Sequence, residues 1–349
     1  MKNIMVTGGC GFIGANFIRY LLTESDFTGK VINVDSLTYA GNPENVVDIE
    51  NGYQDRYLFI KADICNLAGM NEIFEKHQID TICNFAAESH VDRSIVAPDA
   101  FIQTNIVGTF NLLEAARSRQ SQMVRFHHIS TDEVYGSLGK DGYFTETTPY
   151  RPNSPYSASK ASSDHLLRAY YKTYDLPMTI SNCSNNYGPY QFPEKLIPLM
   201  ILNAFEGKPL PVYGDGRHVR DWLYVRDHCT AIWTIMKHGR VGEMYNIGGN
   251  SEMENIDIVK MICDILDEMN KLSNNRSRRE LITFVKDRPG HDRRYAIDFT
   301  KLNKEFGWSP EASLETGIRD TIQWYVDNKE WVERVKSGEY RRWIRTHYA

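Results

Sequence analysis

The residues with the clearest chemical potential are two adjacent carboxylates, Asp132 and Glu133, and a downstream pair, Tyr156 and Lys160. Residues four apart share one face of a helix, and a lysine ammonium stabilises a nearby phenolate, which then acts as a base near neutral pH. Two neighbouring carboxyl groups in a buried site separate in pKa, so that one is an acid and the other a base. Together the four predict an elimination of water assisted by oxidation, without deciding which carboxylate is the acid.

Each pair also has a simpler interpretation, because a tyrosine and a lysine four apart occur on many surface helices and two carboxylates occur in many loops. The position of these residues in the chain favours the catalytic interpretation. Thr131, Asp132 and Glu133 follow a predicted strand at residues 125–130, and ligands of open parallel sheets bind at the carboxyl ends of strands. We assign no role to His127 and His128, which alternate along the same strand.

A glycine motif follows the first predicted strand and opens the first predicted helix. Gly8, Gly11 and Gly14 let the backbone turn tightly and approach a pyrophosphate at the helix N-terminus. Asp35 ends the second strand about 20 residues after the motif, where a carboxylate binds a ribose 2′-hydroxyl and repels a 2′-phosphate. The pattern therefore predicts NAD rather than NADP. Strand ends at Asp63 and Ala86 are further candidates for cofactor contacts.

The elements that position these residues alternate between strand and helix patterns, which is typical of a parallel sheet built from βαβ units. We predict an α/β fold, with a Rossmann-type doubly wound parallel sheet and a smaller mixed α/β substrate-binding domain. The first domain covers residues 1–185, with residues near 217–248 returning to it, and the second covers 186–349. The predicted strands are 4–7, 31–35, 57–62, 81–86 and 125–130; the clearest predicted helices are 11–23, 68–77, 100–119 and one from Ser154–Pro155 to about Tyr174.

Composition excludes several classes of partner. The 349 residues carry a net charge of −5, which argues against nucleic acid and anionic membranes. No apolar run approaches the ~18 residues of a membrane span, and a strand pattern begins at once, leaving no room for a signal peptide. Six scattered cysteines without ligand spacing predict reduced thiols, a cytoplasmic protein and no metal site.

Two charged segments of the second half need separate interpretations. The basic run at residues 288–294, in an acidic protein, favours a clamp for a diphosphate, because arginine pairs with phosphate oxygens in a bidentate manner. A surface loop with locally paired charges is the alternative. The polar stretch 271–279 is typical of a solvated loop.

The chain resembles the extended short-chain dehydrogenase/reductase superfamily, and within it the family of dTDP-glucose 4,6-dehydratases. The Thr-Asp-Glu triplet is the discriminating feature, since 4-epimerases of the superfamily lack the acid–base pair and GDP-mannose dehydratases typically carry Thr-Ser-Glu. The similarity runs along almost the whole chain, through residues 7–14, 86–94, 130–136, 155–160, 185–190, 193–198 and 287–291.

The resemblance implies a three-step reaction. Tyr156, helped by Thr131 and Lys160, removes the C4 hydroxyl proton while hydride leaves C4 for NAD⁺. Glu133 then takes the C5 proton, which the new ketone has made acidic, while Asp132 protonates the departing C6 hydroxyl. Hydride returns to C6, C5 is reprotonated, and NAD is regenerated in every turnover, so that tight binding of the cofactor is expected.

The resemblance also implies the binding residues. Those expected to bind the cofactor are Gly8, Gly11, Phe12, Ile13, Gly14, Asp35, Ser36, Leu37, Thr38, Asp63, Ile64, Ala86, Ala87, Thr104, Tyr156, Lys160 and Asn186. Those expected to bind the nucleotide sugar are Ser89, Thr131, Asn185, Lys195, Leu196, Pro211, Tyr213, Arg220, Asn255, Arg288 and His291. A homodimer is expected through a four-helix bundle of residues 100–119 and 154–174 from each subunit.

Four alternatives remain open. A UDP-glucose 4,6-dehydratase carries the same triplet, so the nucleotide depends on overall resemblance. A nucleotide-sugar 4-epimerase shares the fold, and Asp132–Glu133 argues against it. A regulatory or scaffold protein that senses NAD would be expected to have lost a catalytic residue. An interaction module on the basic C-terminal segment would not depend on Glu133.

Overall fold

A seven-stranded parallel sheet forms the centre of the protein. The computed structural model describes residues 1–272 and 276–338. The sheet order is β10-β6-β5-β4-β1-β2-β3, and every pair in it is parallel. These strands are β1 (Asn3–Thr7), β2 (Lys30–Asp35), β3 (Tyr57–Lys61), β4 (Thr81–Asn84), β5 (Arg125–Thr131), β6 (Met178–Cys183) and β10 (Met244–Ile247).

Helices cover both faces of this sheet, as the near-continuous apolar strands require. One buried apolar cluster includes side chains of α1 and α9, and another includes side chains of α3, α6 and α7. The predicted doubly wound fold is thereby confirmed. The helices are α1 (Phe12–Thr23), α2 (Val47–Gly52), α3 (Leu67–Lys76), α4 (Val91–Val96), α5 (Pro98–Phe101), α6 (Thr109–Arg117), α7 (Pro155–Tyr174), α8 (Leu196–Phe205), α9 (Val225–His238), α10 (Asn255–Met269), α11 (Thr300–Phe306), α12 (Leu314–Asp327) and α13 (Lys329–Ser337).

The second half of the chain builds a separate apolar core between α8, α10, α12 and α13. Two small sheets accompany it, β11-β9-β7 and β12-β8. Leu302 and Trp308, far along the chain, pack in the core of the large sheet instead. The two-domain division with a boundary near 185 stays a prediction. The strands are β7 (Asn185–Tyr187), β8 (Leu210–Tyr213), β9 (Val219–Tyr224), β11 (Glu252–Glu254) and β12 (Ile282–Val285).

The turn between β1 and α1 requires glycine at two positions. Gly8 has φ +68°, a conformation that residues with a side chain rarely adopt. A Cβ on Gly14 would lie 2.4 Å from the carbonyl oxygen of Gly8, which is backbone and cannot move away. The glycine motif therefore brings the start of α1 directly against the end of β1.

Helix α7 begins where the sequence predicts. Ser154 is its N-cap, and a capping box joins Ser154 and Ser157, each hydroxyl accepting from the other residue's backbone N–H at 3.1 Å. Pro155 is the first helical residue, a position where its missing N–H costs nothing. This start places Tyr156 and Lys160 in the first turns of the helix, beside the end of β5.

The helix predicted at 100–119 is interrupted. Residues Ile102–Gly108 form a π-helical segment between α5 and α6. The wider turn lets Asn105 bond away from its own helix: its amide donates to Ser159 Oγ at 2.8 Å and to the Glu88 carbonyl at 3.0 Å. Its backbone carbonyl accepts from Ser163 Oγ at 2.6 Å. Periodicity does not reveal this bulge, because polar contacts with α7 create it.

The stretch 271–279 is not simply solvated, although residues 273–275 lie outside the described part. Arg278 is buried, and its guanidinium donates to Asp267 Oδ1 at 2.7 Å and to the Ala204 carbonyl at 3.1 Å. It also reaches the Leu266 and Asn270 carbonyls at the end of α10. The prediction was wrong at Arg278, because an arginine that bonds to the last carbonyls of a helix can be buried. Across residues 1–272 and 276–338, none of the helices combines the length and apolar character needed to cross a membrane.

We expect Asn105→Ala to lower the free energy of unfolding by about 2 kcal/mol, because it leaves the Glu88 backbone groups without their partner. Denaturant unfolding followed by circular dichroism measures this loss. Gln103→Ala, at an exposed position of the same π segment, is the matched control and should stay within ~0.5 kcal/mol of the unchanged protein. Equal effects of both substitutions would contradict the role of Asn105.

Candidate active site

A cavity of about 310 Å³ opens at the carboxyl ends of the strands of the large sheet. It lies between the glycine motif on one side and the ends of β5 and β6 on the other. The predicted residues that line it are Gly8, Gly11, Phe12, Ile13, Gly14, Asp35, Ser36, Thr38, Asp63, Ile64, Ala86, Ala87, Ser89, Thr104, Thr131, Asp132, Glu133, Tyr156, Lys160, Asn185, Asn186 and Lys195. One cavity therefore brings together the predicted catalytic residues and nearly all of those predicted for the cofactor.

Asp35 is held rigidly at the edge of this cavity. Its Oδ2 accepts from the Cys10 backbone N–H at 2.9 Å, and its Oδ1 accepts from the Leu37 N–H at 2.8 Å. Burial raises the pKa of Asp35, and these two bonds lower it. Leu37 does not line the cavity; it packs in the core with φ +56°, and its backbone orients the carboxylate. The carboxylate and the glycine cradle fit a dinucleotide: Asp35 would hold its ribose hydroxyls and the glycine motif would hold its pyrophosphate.

Asp132 and Glu133 differ in their electrostatic surroundings. Asp132 is 2% exposed and its Oδ2 has no hydrogen-bond partner among the described residues. Burial raises its pKa well above the ordinary value, and the charges of Glu133 and Asp221 raise it further. Burial also raises the pKa of Glu133, but the cations Arg288, Arg220 and Lys195 lower it. The geometry thus favours Asp132 as the protonated acid and Glu133 as the ionised base.

Tyr156 and Lys160 lie beside this pair. Burial and the charge of Glu133 raise the pKa of Tyr156, while a hydrogen bond with Thr131 lowers it. Burial lowers the pKa of Lys160 to about 8. Its Nζ donates to the Ile129 carbonyl of β5 at 2.7 Å, which fixes the ammonium beneath the cavity. Ionisation of Tyr156 in so dry a site depends on positive charge nearby, which Lys160 carries.

The remaining residues predicted for the substrate lie outside the lining of this cavity: Leu196, Pro211, Tyr213, Arg220, Asn255, Arg288 and His291. Two of them still act on the site, because Arg220 and Arg288 both lower the pKa of Glu133. Arg220 is buried, its guanidinium 4.3 Å from the centre of the Tyr295 ring and bonded to the Asp292 carbonyl at 2.9 Å. It is a fixed cation rather than a mobile surface one.

A network of further charged residues lies next to Arg288. Arg288 pairs with Asp92 Oδ1 at 3.0 Å, and the Tyr213 hydroxyl donates to Asp92 Oδ2 at 3.3 Å. Next to them, Asp287 lies between His291 Nδ1 at 2.6 Å and His218 Nε2 at 3.3 Å. Ligand atoms of these three residues lie within 4.8 Å of one another, a spacing that a metal ion could use. The expected absence of a metal stays a prediction.

Several buried polar atoms of the predicted substrate residues have no hydrogen-bond partner within the described ranges. They are Asn185 Oδ1, Asn255 Oδ1 and Arg288 Nε. Buried polar atoms are normally paired, so unpaired ones, with Asn185 lining the cavity and Asn255 and Arg288 outside its lining, favour a polar ligand that completes them. This pattern fits a nucleotide sugar better than an apolar ligand.

Sequence reasoning missed residues on the loops that border the cavity, including Tyr39, Glu88 and Glu194. Arg93 joins two of these loops: its guanidinium lies 3.8 Å from the centre of the Tyr39 ring and 3.1 Å from Glu194 Oε2. No local pattern predicts a contact between segments so far apart. The only available signal was that Arg93 and Glu194 fall within the motifs at 86–94 and 193–198.

Comparison with known proteins agrees with this geometry. The family model described as GDP-mannose 4,6 dehydratase matches residues 5–321. The dTDP-glucose 4,6-dehydratase of Shigella flexneri is 56% identical over 99% of this chain and 98% of its own.

Two solved structures extend the comparison to the fold. The dTDP-glucose 4,6-dehydratase from Bacillus anthracis str. Ames, in complex with NAD, has a TM-score of 0.86 and 48% identity, covering 96% of this chain and 100% of that one. The enzyme of the same name from Streptomyces venezuelae, with NAD and TYD bound, has a TM-score of 0.87 and 43% identity, covering 95% and 99%. The chain belongs to the dTDP-glucose 4,6-dehydratase family of the extended short-chain dehydrogenases/reductases.

Proposed function

We propose that the protein is an NAD-dependent dTDP-glucose 4,6-dehydratase, which forms dTDP-4-keto-6-deoxyglucose and water. The observation that carries this proposal is the pair Asp132–Glu133, buried with divergent electrostatic surroundings beside Tyr156 and Lys160. An epimerase needs only the tyrosine and the lysine. Elimination needs an acid and a base as well, and the cavity contains both.

The first step is removal of the C4 hydroxyl proton by Tyr156. Thr131 supports the phenolate with a hydrogen bond, and Lys160 supplies positive charge from beneath the cavity. The chemistry that NAD supplies when bound over the glycine motif and Asp35 is acceptance of hydride from C4 and its later return to C6. The residues of the chain hold the sugar in place and manage the protons.

The second step is loss of water between C5 and C6. A ketone at C4 makes the C5 proton acidic enough for a carboxylate, and Glu133 is the base: burial raises its pKa, and three cations oppose that rise and favour its ionised form. Asp132, kept protonated by burial and by its neighbour's charge, gives its proton to the departing C6 hydroxyl. Glu133, protonated by that abstraction, can then return a proton to C5 as C6 is reduced.

The nucleotide diphosphate is assigned to a basic surface formed by Arg288, Arg220 and Lys195, which we call the nucleotide wall. Arginine matches two phosphate oxygens at once, and Arg288 has a buried Nε without a partner among the described residues. The dTDP nucleotide is supported by relatives of that name at 55–56% identity, and UDP-glucose is the alternative substrate. Six free cysteines support a reducing, cytoplasmic location.

Incubating the purified protein with dTDP-glucose or UDP-glucose, without added NAD, and weighing the products by mass spectrometry tests the proposal. We expect the mass of one water to be lost from dTDP-glucose, because the cofactor is restored in each turnover and stays bound. Loss from UDP-glucose alone would overturn the nucleotide assignment. A hexose epimer of unchanged mass would overturn the dehydratase.

The two carboxylates can be separated by substitution. We expect Glu133→Gln to lower exchange of the C5 hydrogen with deuterated solvent by at least about 100-fold, because it removes the base. Asp132→Asn should slow water release by a similar factor while C5 exchange persists, because Glu133 remains. NMR of the sugar in deuterated buffer measures both rates, and Tyr156→Phe, which blocks oxidation, is the control that loses both. The reverse pattern would exchange the two roles.

We also propose that the protein is a homodimer, in which the π segment, α6 and α7 of each subunit form a four-helix bundle. Large apolar side chains stay exposed on this surface: Ile102 is 43% and Phe110 41% exposed. Exposed apolar groups about two turns apart in one helical region favour an interface.

Sedimentation analysis checks the dimer. We expect the unchanged protein to sediment as a dimer and Phe110→Asp as a monomer, because a carboxylate buried in an apolar interface is costly. Phe284→Asp is the control, since Phe284 is also exposed but lies on β12, away from these helices, and should leave the dimer intact. A dimeric Phe110→Asp protein would contradict the proposed interface.

A further inference from the structure

Helix α7 carries a third ionisable residue in line with the first two. Tyr156, Lys160 and Asp164 are spaced four apart, so they lie along one face of the helix. Asp164 is 2% exposed and lies one turn beyond Lys160, outside the residues that line the cavity. A buried carboxylate is costly unless its charge is used or compensated, and no role has been assigned to it so far.

One oxygen of Asp164 is fully bonded and the other is free. Oδ2 accepts from Ser130 Oγ at 2.7 Å and from the Tyr150 hydroxyl at 2.9 Å. Oδ1 has no hydrogen-bond partner within residues 1–272 and 276–338 and lies 3.6 Å from His128 Nε2. The free oxygen therefore faces the imidazole of β5.

The hydrogen-bond chain behind His128 fixes which ring nitrogen carries the proton. The Ala86 N–H donates to Thr7 Oγ1 at 3.2 Å, and the Thr7 hydroxyl donates to Asn84 Oδ1 at 2.6 Å. The amide nitrogen of Asn84 consequently faces His128 Nδ1, at 3.1 Å, and donates to it. Because Nδ1 accepts, the proton of the neutral ring is on Nε2.

That proton points at the catalytic lysine. His128 Nε2 lies 3.3 Å from Lys160 Nζ, so an N–H donor and an ammonium face each other. Such a contact is repulsive unless a nearby negative charge offsets it. The Asp164 carboxylate, with Oδ1 3.6 Å from Nε2 and one turn along α7 from Lys160, supplies that negative charge.

We propose that Asp164 is a positioning residue of the reaction, whose negative charge, one helical turn from Lys160 and beside His128 Nε2, keeps Lys160 in its ammonium form. This inference rests on the proposed function of Tyr156 as the base. Loss of the carboxylate charge would let Lys160 release its proton at lower pH and would leave Tyr156 without the cation that stabilises its phenolate.

The other ionisable groups near Lys160 do not replace Asp164. Burial raises the pKa of Cys183 on β6 to about 12 and lowers that of His128 well below its ordinary value, so both stay neutral, and Tyr156 on α7 is the group that Lys160 has to stabilise. Tyr135 and Tyr150, which approach from residues 132–150, are also held neutral by burial. Burial raises the pKa of Asp164 to about 6, so it is anionic at neutral pH and raises the pKa of Lys160.

Asp164→Asn, which keeps the shape and removes the charge, tests the proposal. The Cε resonance of Lys160 is followed against pH by ¹³C NMR in lysine-labelled protein and assigned by its loss in Lys160→Arg. We expect the midpoint, near the pKa of about 8 in the unchanged protein, to fall by about one pH unit in Asp164→Asn. The alkaline limb of the pH profile for water loss should move by the same amount.

Ser163→Ala is the matched control, since Ser163 is buried on the same helix and bonds to Asn105 instead of the network. Its midpoint and pH profile should be unchanged. An unshifted Lys160 midpoint in a folded Asp164→Asn protein would overturn the proposal. If the unchanged protein releases no water, the proposed function is wrong. The NMR titration of Lys160 still tests, in that case, whether Asp164 keeps Lys160 in its ammonium form.

A measurement on the unchanged protein makes the test independent of the variant's folding. ¹⁵N NMR of labelled histidine should show His128 protonated at Nε2, unprotonated at Nδ1 and neutral from about pH 6 to 9, because burial lowers its pKa. A ring protonated at Nδ1 would overturn the arrangement in which the Nε2 proton faces Lys160 and Asp164 offsets the repulsion.

Discussion

The burial of charge at the end of β5 is the constraint on which the rest of the structure depends. Asp132, Lys160 and Asp164 are each almost inaccessible to solvent, yet each must hold or lose a proton in a defined way. Water cannot compensate these charges, so neighbouring dipoles and ions must. The parallel sheet allows this, because the carboxyl ends of its strands meet one face of α7 at a single place.

The supporting elements follow from that requirement. A capping box fixes the start of α7, and the π segment before α6 bonds to the same helix through Asn105. Two glycines bring α1 close enough to β1 for a pyrophosphate to reach the helix N-terminus. The π segment and the closely packed glycine turn are thus departures from regular geometry in the elements that support the site.

Much of this could be predicted from the sequence, since it depends on local patterns. The strands, the glycine motif, the start of α7 and the gathering of Tyr156 and Glu133 follow from periodicity and spacing. The π segment and the buried Arg278 could not be predicted, because contacts between distant segments decide them. The four-residue spacing between Lys160 and Asp164 could be recognised in the sequence. The proposed role of Asp164 could not be predicted, because it depends on the contact with His128 on β5.

The cations that lower the pKa of Glu133 against the effect of burial are the same ones that are assigned to the diphosphate. An anion that binds Arg288 or Arg220 takes up part of their charge, and the pKa of Glu133 then rises. The ligand would thus strengthen the base that acts on it, and by thermodynamic reciprocity protonation of Glu133 would strengthen binding of the ligand. Occupancy of the nucleotide wall and protonation of Glu133 are thus linked, so the carboxylate is a weaker base but a more fully ionised one when that wall is empty.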